Sequence, residues 1–466
     1  MSAGRRWQPQ CPQGACHGAR RKYPGGSAAR ARSSREVDSP RRFPASPHCA
    51  PYGCAVRQNS RGSPVRPLDR THDIPDPDAR AEVPALSGER IYLSPPTVGD
   101  LEIERVVAAL KSGWVAPVGP ELAEFESAVC DYTGVPHAVA LSSATAGLHL
   151  ALMAAGVGAG DRVYCPTLTF GSPFPITYLG ALPVFLDVEG VSWNLDKQVL
   201  ADALATDAGR DRLPAALLVV DIFGRPCDYD PIMELADEYD VPVVCDAAEA
   251  LGAVHSGRAG ERMAGSFGMA GVYSFNGNKM ITTSGGGMLV AHDPELVERA
   301  LRRATQSRDS MPWLEHSEVG YNYRMSNVLA ALGNAQMAQL PRFLEVRRHH
   351  RQAYARAFAV LEGVTVVADP PWGRSNDWLT TLRFDSVLHP GAASKVRAAL
   401  EAENIESRHI WKPMHRQPVF ARAEAFLTGE ADAIFVEGLS LPSAPSLTDE
   451  QRATVTAIVL MTLESA

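Results

Sequence analysis

From Ile91 onward, short apolar runs alternate with stretches of helical period, and this alternation restricts the chain to a small set of architectures. VPHAVALSS (135–143) reads as a buried strand and TAGLHLALMAAGV (145–157) as the helix that follows it. RVYCP (162–166), LPVFLDV (182–188), AALLVVDIF (215–223) and VPVVCDAA (241–248) read as further strands, with helices such as DPIMELADEYD (230–240) between them. Strands apolar on both faces and joined through helices need right-handed crossovers, so the pattern predicts an α/β fold with a mainly parallel sheet covered on both sides. Ligands of such sheets sit at the carboxyl ends of the strands. Residues 142–145, Phe170, Asp246 and Ser274 each fall just past a predicted strand.

Beyond Leu340 the pattern shifts to a long helical run, PRFLEVRRHHRQAYARAFAVL, then to strand-like TLRFDSVL and helical AASKVRAALEAENI. This predicts a large domain over 89–340 and a smaller α+β domain over 341–466, as expected for a 466-residue chain that exceeds the usual size of one core. Residues 1–88 are rich in Arg, Pro, Ser and Gly without a sustained period, the composition of a disordered basic segment. They contain no apolar stretch of the secretory type; an organelle transit peptide is opposed by the prolines and glycines, and a start codon assigned too far upstream is the other account.

A formal net charge of −8 argues against a general nucleic-acid binder, since a polyanion is repelled by the summed field. No apolar run is long and clean enough to span a bilayer. Of the eight cysteines, Cys130, Cys165, Cys227 and Cys245 lie in or beside apolar runs, where a free thiol packs as a small hydrophobe, and this fits a reducing cytoplasm. Cys11, Cys16, Cys49 and Cys54, in CPQGAC and CAPYGC, are spaced more widely than usual zinc-ligand pairs and lack an apolar surround, so no metal site is expected.

The stretch SFNGNKMITTSGGGMLV (274–290) holds Lys279 on a polar turn between a strand end and a triple glycine. A lysine restrained and desolvated in this way becomes a nucleophile toward carbonyls, and its best known use is an imine with pyridoxal phosphate. That chemistry requires a phosphate cradle, an acid for the pyridine nitrogen and a flat group over the ring. The turn SSATAG (142–147) opens a helix directly after a strand, and its free N–H groups suit a phosphate, although the same residues also serve as an ordinary cap. Asp246 ends the apolar strand VPVVCD, where its carboxylate must find a cation or donors, a pyridinium among them, or cap the next turn. The small Ala247 and Ala248 admit a flat ring, and Phe170 either covers the other face or belongs to the core.

With these residues in view, the chain from about Ile91 to its end resembles the DegT/DnrJ/EryC1/StrS family of sugar aminotransferases, pyridoxal-phosphate enzymes of fold type I (the aspartate aminotransferase fold), with a large domain around a mainly parallel seven-stranded-type sheet. WVAPVGPELAEFE, ALSSATAGLHLAL, TLTFGSPFPITYLGALPVFLDV, VVCDAAEALGA, SFNGNKMITTSGGGML, GYNYRMSNVLAALGNAQ and ESRHIWKPMHRQPVF carry the resemblance. It implies that Lys279 forms the imine and moves the proton, that Asp246 pairs with the pyridine nitrogen, and that Phe170 stacks on the ring opposite Ala248. It further implies that Ala144, Thr145 and Ser274 hold the phosphate, that Glu249 touches the ring oxygen, and that Asn322 reaches in from the second subunit of a homodimer. Ala144 stands where the family commonly has glycine; Lys279 stands where the family's dehydratases have histidine, which favours transamination.

IWKPMH (410–415) resembles members acting on nucleotide-linked 4-keto-6-deoxy sugars of the bacillosamine and perosamine types, enzymes of polysaccharide biosynthesis. Trp411, Lys412 and His415, with Trp114 at the entrance, are therefore the expected substrate contacts, although Trp411 as core and Lys412 as a surface charge is the plainer account. Glutamate is the expected amino donor. A family member aminating a 3-keto sugar or a cyclitol, and a non-catalytic cofactor-binding regulator, are the competing functions.

Overall fold

A computed structural model describes residues 89–464. The segment 1–88, with Cys11, Cys16, Cys49 and Cys54, lies outside the described residues.

The central sheet has eight strands: β1 (His137–Leu141), β2 (Arg162–Pro166), β3 (Leu182–Leu186), β4 (Ala216–Val220), β5 (Val243–Asp246), β6 (Ala270–Ser274), β7 (Gly287–Ala291) and β8 (Ala425–Phe426). Their spatial order is β1-β7-β6-β5-β4-β2-β3-β8. All neighbours are parallel except β7, which runs antiparallel to β1 and β6. Seven strands come from residues 137–291; the eighth is a two-residue strand from far along the chain. The expected mainly parallel sheet is therefore present, extended by an edge that no local pattern announces.

Burial on both faces explains why these strands read as unbroken apolar runs: all five residues of β4, ALLVV, are buried. One face packs on the helix Ala144–Ala154 through Leu148, Leu150 and Leu152; the other packs on Leu200, Leu204 and Ile232 from the helices Lys197–Ala208 and Tyr229–Glu238. The helix Ala144–Ala154 starts at Ser143, whose hydroxyl accepts the Ala146 N–H at 3.1 Å. Cys165, Cys227 and Cys245 are buried free thiols and Cys130 is half-buried.

A helix of 32 residues, Asn327–Phe358, begins earlier than its sequence suggests and runs straight through Pro341. It connects the large sheet to a four-stranded antiparallel sheet ordered Val364–Val366, Thr380–Phe384, Gly438–Leu441 and Arg408–His409. The helices Ala392–Ala402 and Asp449–Glu464 cover this second sheet. The strand-like reading of TLRFDSVL stops at Phe384, because Asp385 turns back to accept the N–H groups of Val387 and Leu388.

Asp187 ties β8 to the large sheet. Burial pushes its carboxyl up, but the N–H groups of Val188, Thr428, Gly429 and Ala431, at 2.8 to 3.0 Å, together hold it below the ordinary value. Among the described residues no helix is long and apolar enough to cross a membrane, and no group of three or more His, Cys, Asp or Glu side chains could hold a metal.

Asp221, one residue past β4, is fully enclosed; burial raises its pKa to about 7, against donated bonds from Tyr229 Oη at 2.7 Å and the Cys227 N–H at 2.9 Å. A carboxyl whose folded pKa exceeds its unfolded one stabilises the fold below the unfolded value and loses that contribution as pH rises through the folded value. Stability should thus fall between about pH 4 and pH 7 with a slope of at most about 1.4 kcal/mol per pH unit from this group. Asp221→Asn should flatten that interval in denaturant titrations at several pH values; an unchanged slope would remove Asp221 as its source.

Candidate active site

β1, β5 and β6 end at the same edge of the sheet, and the residues that leave those ends line one cleft of about 410 Å³. Ala144, Thr145, Phe170, Asp246, Ala248, Ser274 and Lys279 all border it. Their convergence follows from strand register: Asp246 is level with Val272 across β5 and β6, and Leu141 and Ser274 both face Gly287.

Lys279 Nζ donates to Glu249 Oε1 at 2.8 Å, with side-chain exposures of 12% and 7% for the two partners. The second carboxylate oxygen of Glu249 accepts the Phe223 N–H at 2.7 Å. Burial raises the Glu249 pKa, and the lysine charge opposes the shift. Nζ also stands 4.2 Å from the ring centre of Trp378. This is a held ammonium rather than a solvated surface charge.

Asp246 is buried and faces the cleft. One carboxylate oxygen accepts the Ser172 hydroxyl at 2.6 Å and the other the Ala248 N–H at 3.0 Å. Burial raises its pKa, while Ser172, Ala248 and the charge of Lys279 pull it back. Ser172 is itself fixed by Thr169 Oγ1 at 2.6 Å. Free acceptor capacity on a desolvated carboxylate at a cleft wall suits a protonated ring nitrogen.

At the other end of the cleft, the N–H groups of Ala144 and Thr145 occupy the first turn of a helix, where no intrahelical acceptor exists. Gly287 packs directly on this turn: a Cβ there would overlap the Ala144 nitrogen and the Ser143 carbonyl. Phe170 leaves 70% of its surface exposed at the mouth, 5.5 Å from the ring of Trp411. An anion cradle, a carboxylate, an amine and an unburied flat ring arranged around one cleft fit pyridoxal phosphate.

Other expected residues fall elsewhere. Asn322 is exposed and does not border this chain's cleft; its backbone bridges Thr305. Trp114 is half exposed, and its carbonyl accepts from Asn327 Nδ2 at 2.9 Å. Lys412 is exposed. His415 Nδ1 meets Thr167 Oγ1 at 2.7 Å and its Nε2 lies 3.4 Å from Asp432, so both ring nitrogens are engaged within the protein. Trp411 packs at the rim, 4.6 Å from the ring of Phe223.

Four residues escaped the sequence reading: Ser172, Phe223, Asn376 and Trp378. The run TFGS after β2 was a usable signal for Ser172, whereas Asn376 and Trp378 lie in the loop that leads into the strand Thr380–Phe384, and nothing local marks them.

A sequence profile of the DegT/DnrJ/EryC1/StrS aminotransferase family matches residues 96–460. The chain belongs to this family. Among its relatives is EpsN of Bacillus subtilis, which bears the name of a pyridoxal phosphate-dependent aminotransferase; it is 41% identical over 377 residues, covering 80% of this chain and 95% of EpsN. GDP-perosamine synthase of Caulobacter vibrioides is 36% identical over 362 residues, covering 77% of this chain and 95% of that enzyme. Among solved structures, Spr1654 from Streptococcus pneumoniae in its PLP form superposes with a TM-score of 0.74 at 25% identity, covering 81% of this chain and 99% of Spr1654. DesI in the presence of its TDP-sugar product superposes with a TM-score of 0.73 at 30% identity, covering 82% of this chain and 95% of DesI. As a DegT/DnrJ/EryC1/StrS member, the protein is an aminotransferase with the expected fold.

Gly287→Ala tests the cradle. Its methyl must displace the Ser143–Ala144 backbone, an overpacking that costs about 1–3 kcal/mol. Equilibrium dialysis should show at least about tenfold weaker retention of pyridoxal phosphate, a factor worth about 1.4 kcal/mol, and wild-type retention would detach Gly287 from the cradle.

Proposed function

We propose that this protein, a pyridoxal phosphate-dependent sugar aminotransferase, moves an amino group from glutamate to the C4 ketone of a nucleotide-linked 4-keto-6-deoxy sugar of the perosamine or bacillosamine type. The observation that carries the chemistry is the meeting of Lys279, Asp246 and the helix turn at Ala144 and Thr145 in one cleft. The substrate class is supported by the relatedness to GDP-perosamine synthase and by the likeness to DesI with its TDP-sugar product.

Pyridoxal phosphate is the cofactor, and when bound it supplies an electron sink for the carbon that gives up its proton. Asp246, a buried carboxylate with spare acceptor capacity, would keep a proton on the ring nitrogen. Lys279 Nζ would anchor the cofactor at rest; once freed by the incoming donor it would take the proton from the donor's α-carbon and deliver it, across the donor nitrogen, to the cofactor's carbon, with the reverse transfer serving the sugar. Phe170 and Ala248 would cover the two faces of the cofactor's ring, the N–H groups of Ala144 and Thr145 and the Ser274 hydroxyl would hold its phosphate, and Glu249 would meet the ring oxygen. Asn322 completes the phosphate site from the second subunit of a homodimer, which accords with its exposure outside its own cleft.

For the sugar nucleotide, Trp411 offers an aromatic face at the rim and the exposed Lys412 a charge for the diphosphate. Trp114 borders the approach. His415, with both nitrogens engaged, acts by fixing Thr167 and the loop that carries Phe170. Soluble nucleotide sugars and the free thiols fit the cytoplasm.

Incubation with ¹⁵N-glutamate and a panel of nucleotide 4-keto sugars, 3-keto sugars and keto-cyclitols, followed by mass detection, should yield label in the 4-amino-6-deoxy product. Label only in a 3-amino sugar or an aminocyclitol would replace the substrate assignment, and label in none would remove all three substrate classes. Lys279→Ala should turn over no substrate, and repeated turnover by that variant would sink the proposed role of the lysine.

Mixing Lys279→Ala with Asn322→Ala tests the shared site. If Asn322 serves the neighbouring subunit, one site in each mixed dimer is intact, so activity should recover toward about a quarter of wild type. No gain over the unmixed variants would return Asn322 to its own subunit.

A further inference from the structure

We infer that Trp378 is a positioning residue for Lys279: its ring face is a berth for the ammonium when the lysine is not bonded to the cofactor. This rests on the proposed role of Lys279 and adds to it a residue from the loop that leads into the second sheet.

Trp378 is 1% exposed, and one bond from its indole and two from its backbone hold it in place. Its Nε1–H donates to the carbonyl of Asn278, the residue before Lys279, at 2.7 Å. Its own N–H donates to Asn376 Oδ1 at 2.9 Å, and its carbonyl accepts from the buried Arg347 at 2.6 Å. The ring therefore stands in a constant relation to the lysine turn, with Nζ 4.2 Å from its centre. A cation over an indole face is stabilised relative to the neutral amine, most of all when water is excluded.

The same short segment also governs the opposite partner of the lysine. Asn376 Nδ2 donates to the carbonyls of Glu249, at 2.6 Å, and Leu251, at 3.0 Å, and so fixes the backbone from which Glu249 reaches Nζ. It approaches this closely because Gly224, with φ of 78°, has no side chain; a Cβ there would overlap the Asn376 carboxamide oxygen. Lys279 is thus gripped between Glu249 and Trp378, both set by residues 376–378. The charged groups around it are Glu249 in contact, Asp246 across the cleft, and the buried Arg225 and Arg347, which act on Glu249 and on the Trp378 carbonyl respectively.

The test uses the full-length protein loaded with pyridoxamine phosphate, in which the lysine amine is free, and needs neither sugar nor amino donor. Competitive labelling with trace acetic anhydride across a pH series, read by mass spectrometry of the Lys279 peptide, gives the midpoint of that amine. Trp378→Leu should lower the midpoint by about 0.5 to 1 pH unit, and Trp378→Phe, which restores a ring face, by less than half of that. Should the leucine variant fail to fold, replacing all seven tryptophans with a trifluorinated tryptophan keeps the shape and drains the ring face of negative potential. The midpoint should fall there as well, and a wild-type midpoint in the folded leucine variant or in the fluorinated protein overturns the inference. Because no substrate enters, that result would leave the sugar assignment untouched, and a failed sugar assay would leave the berth untouched.

Discussion

The ion pair between Lys279 and Glu249 is the interaction around which the rest of the active edge is arranged. Enclosing two opposite charges costs several kcal/mol per ion before their attraction is counted, and such a pair persists only where further bonds satisfy what remains of each group. Here the spare oxygen of Glu249 takes the Phe223 N–H, and the exposed side of the ammonium meets an indole face. Three neighbouring parallel strands deliver these parts: Phe223 follows β4, Glu249 follows β5 and Lys279 follows β6. Had any of those strands run the other way, its residue would have emerged at the opposite edge.

Phe223 shows the strain this arrangement carries. Its φ of 53° is the left-handed conformation, at a cost of roughly 1–3 kcal/mol for a bulky residue. The conformation persists because it is over-determined. The N–H is committed to Glu249, the ring packs against Trp193, Trp378 and Trp411, and Gly224 next in the chain leaves room for Asn376. Strain stored in the backbone is offset by contacts from two regions, Glu249 and Trp193 from connections of the large sheet and Trp378 and Trp411 from loops flanking strands of the second, so the two regions share one site.

That sharing explains what was legible in the sequence. Lys279, Asp246, Phe170 and the turn at Ala144 each sit beside a strand whose apolar run marks its own end, and the α/β alternation aligns those ends on one edge. The fold class and one wall of the cleft were therefore readable from local pattern. Trp378 and Asn376 were not, because what defines them is distance across the fold rather than period along the chain: Asn376 meets the Glu249 carbonyl 127 residues away. The eighth strand was hidden for the same reason, since Ala425 and Phe426 join the sheet only because Asp187 gathers the amides that follow them. Pro341 misled by its usual meaning as a helix start, whereas here the helix already runs from Asn327.

The same strand ends pose a problem of charge, and the structure resolves it by dividing labour between two carboxyls. Asp221 and Asp246 close adjacent strands, and the Asp221 N–H donates to the Asp246 carbonyl at 3.0 Å. Both are buried, burial raises the pKa of each, and the charge of Asp246 adds to the upward pressure on Asp221. Burial pushes Asp221 to about 7 against the Tyr229 phenol and the N–H and thiol of Cys227, so near neutrality a large share of it holds its proton. Asp246 has, besides Ser172 and the Ala248 N–H, the field of Lys279, which favours its ionised form. To the extent that Asp221 keeps its proton, Asp246 is spared a second negative charge beside it, and the field of Lys279 acts on the one carboxyl of the two that faces the cleft.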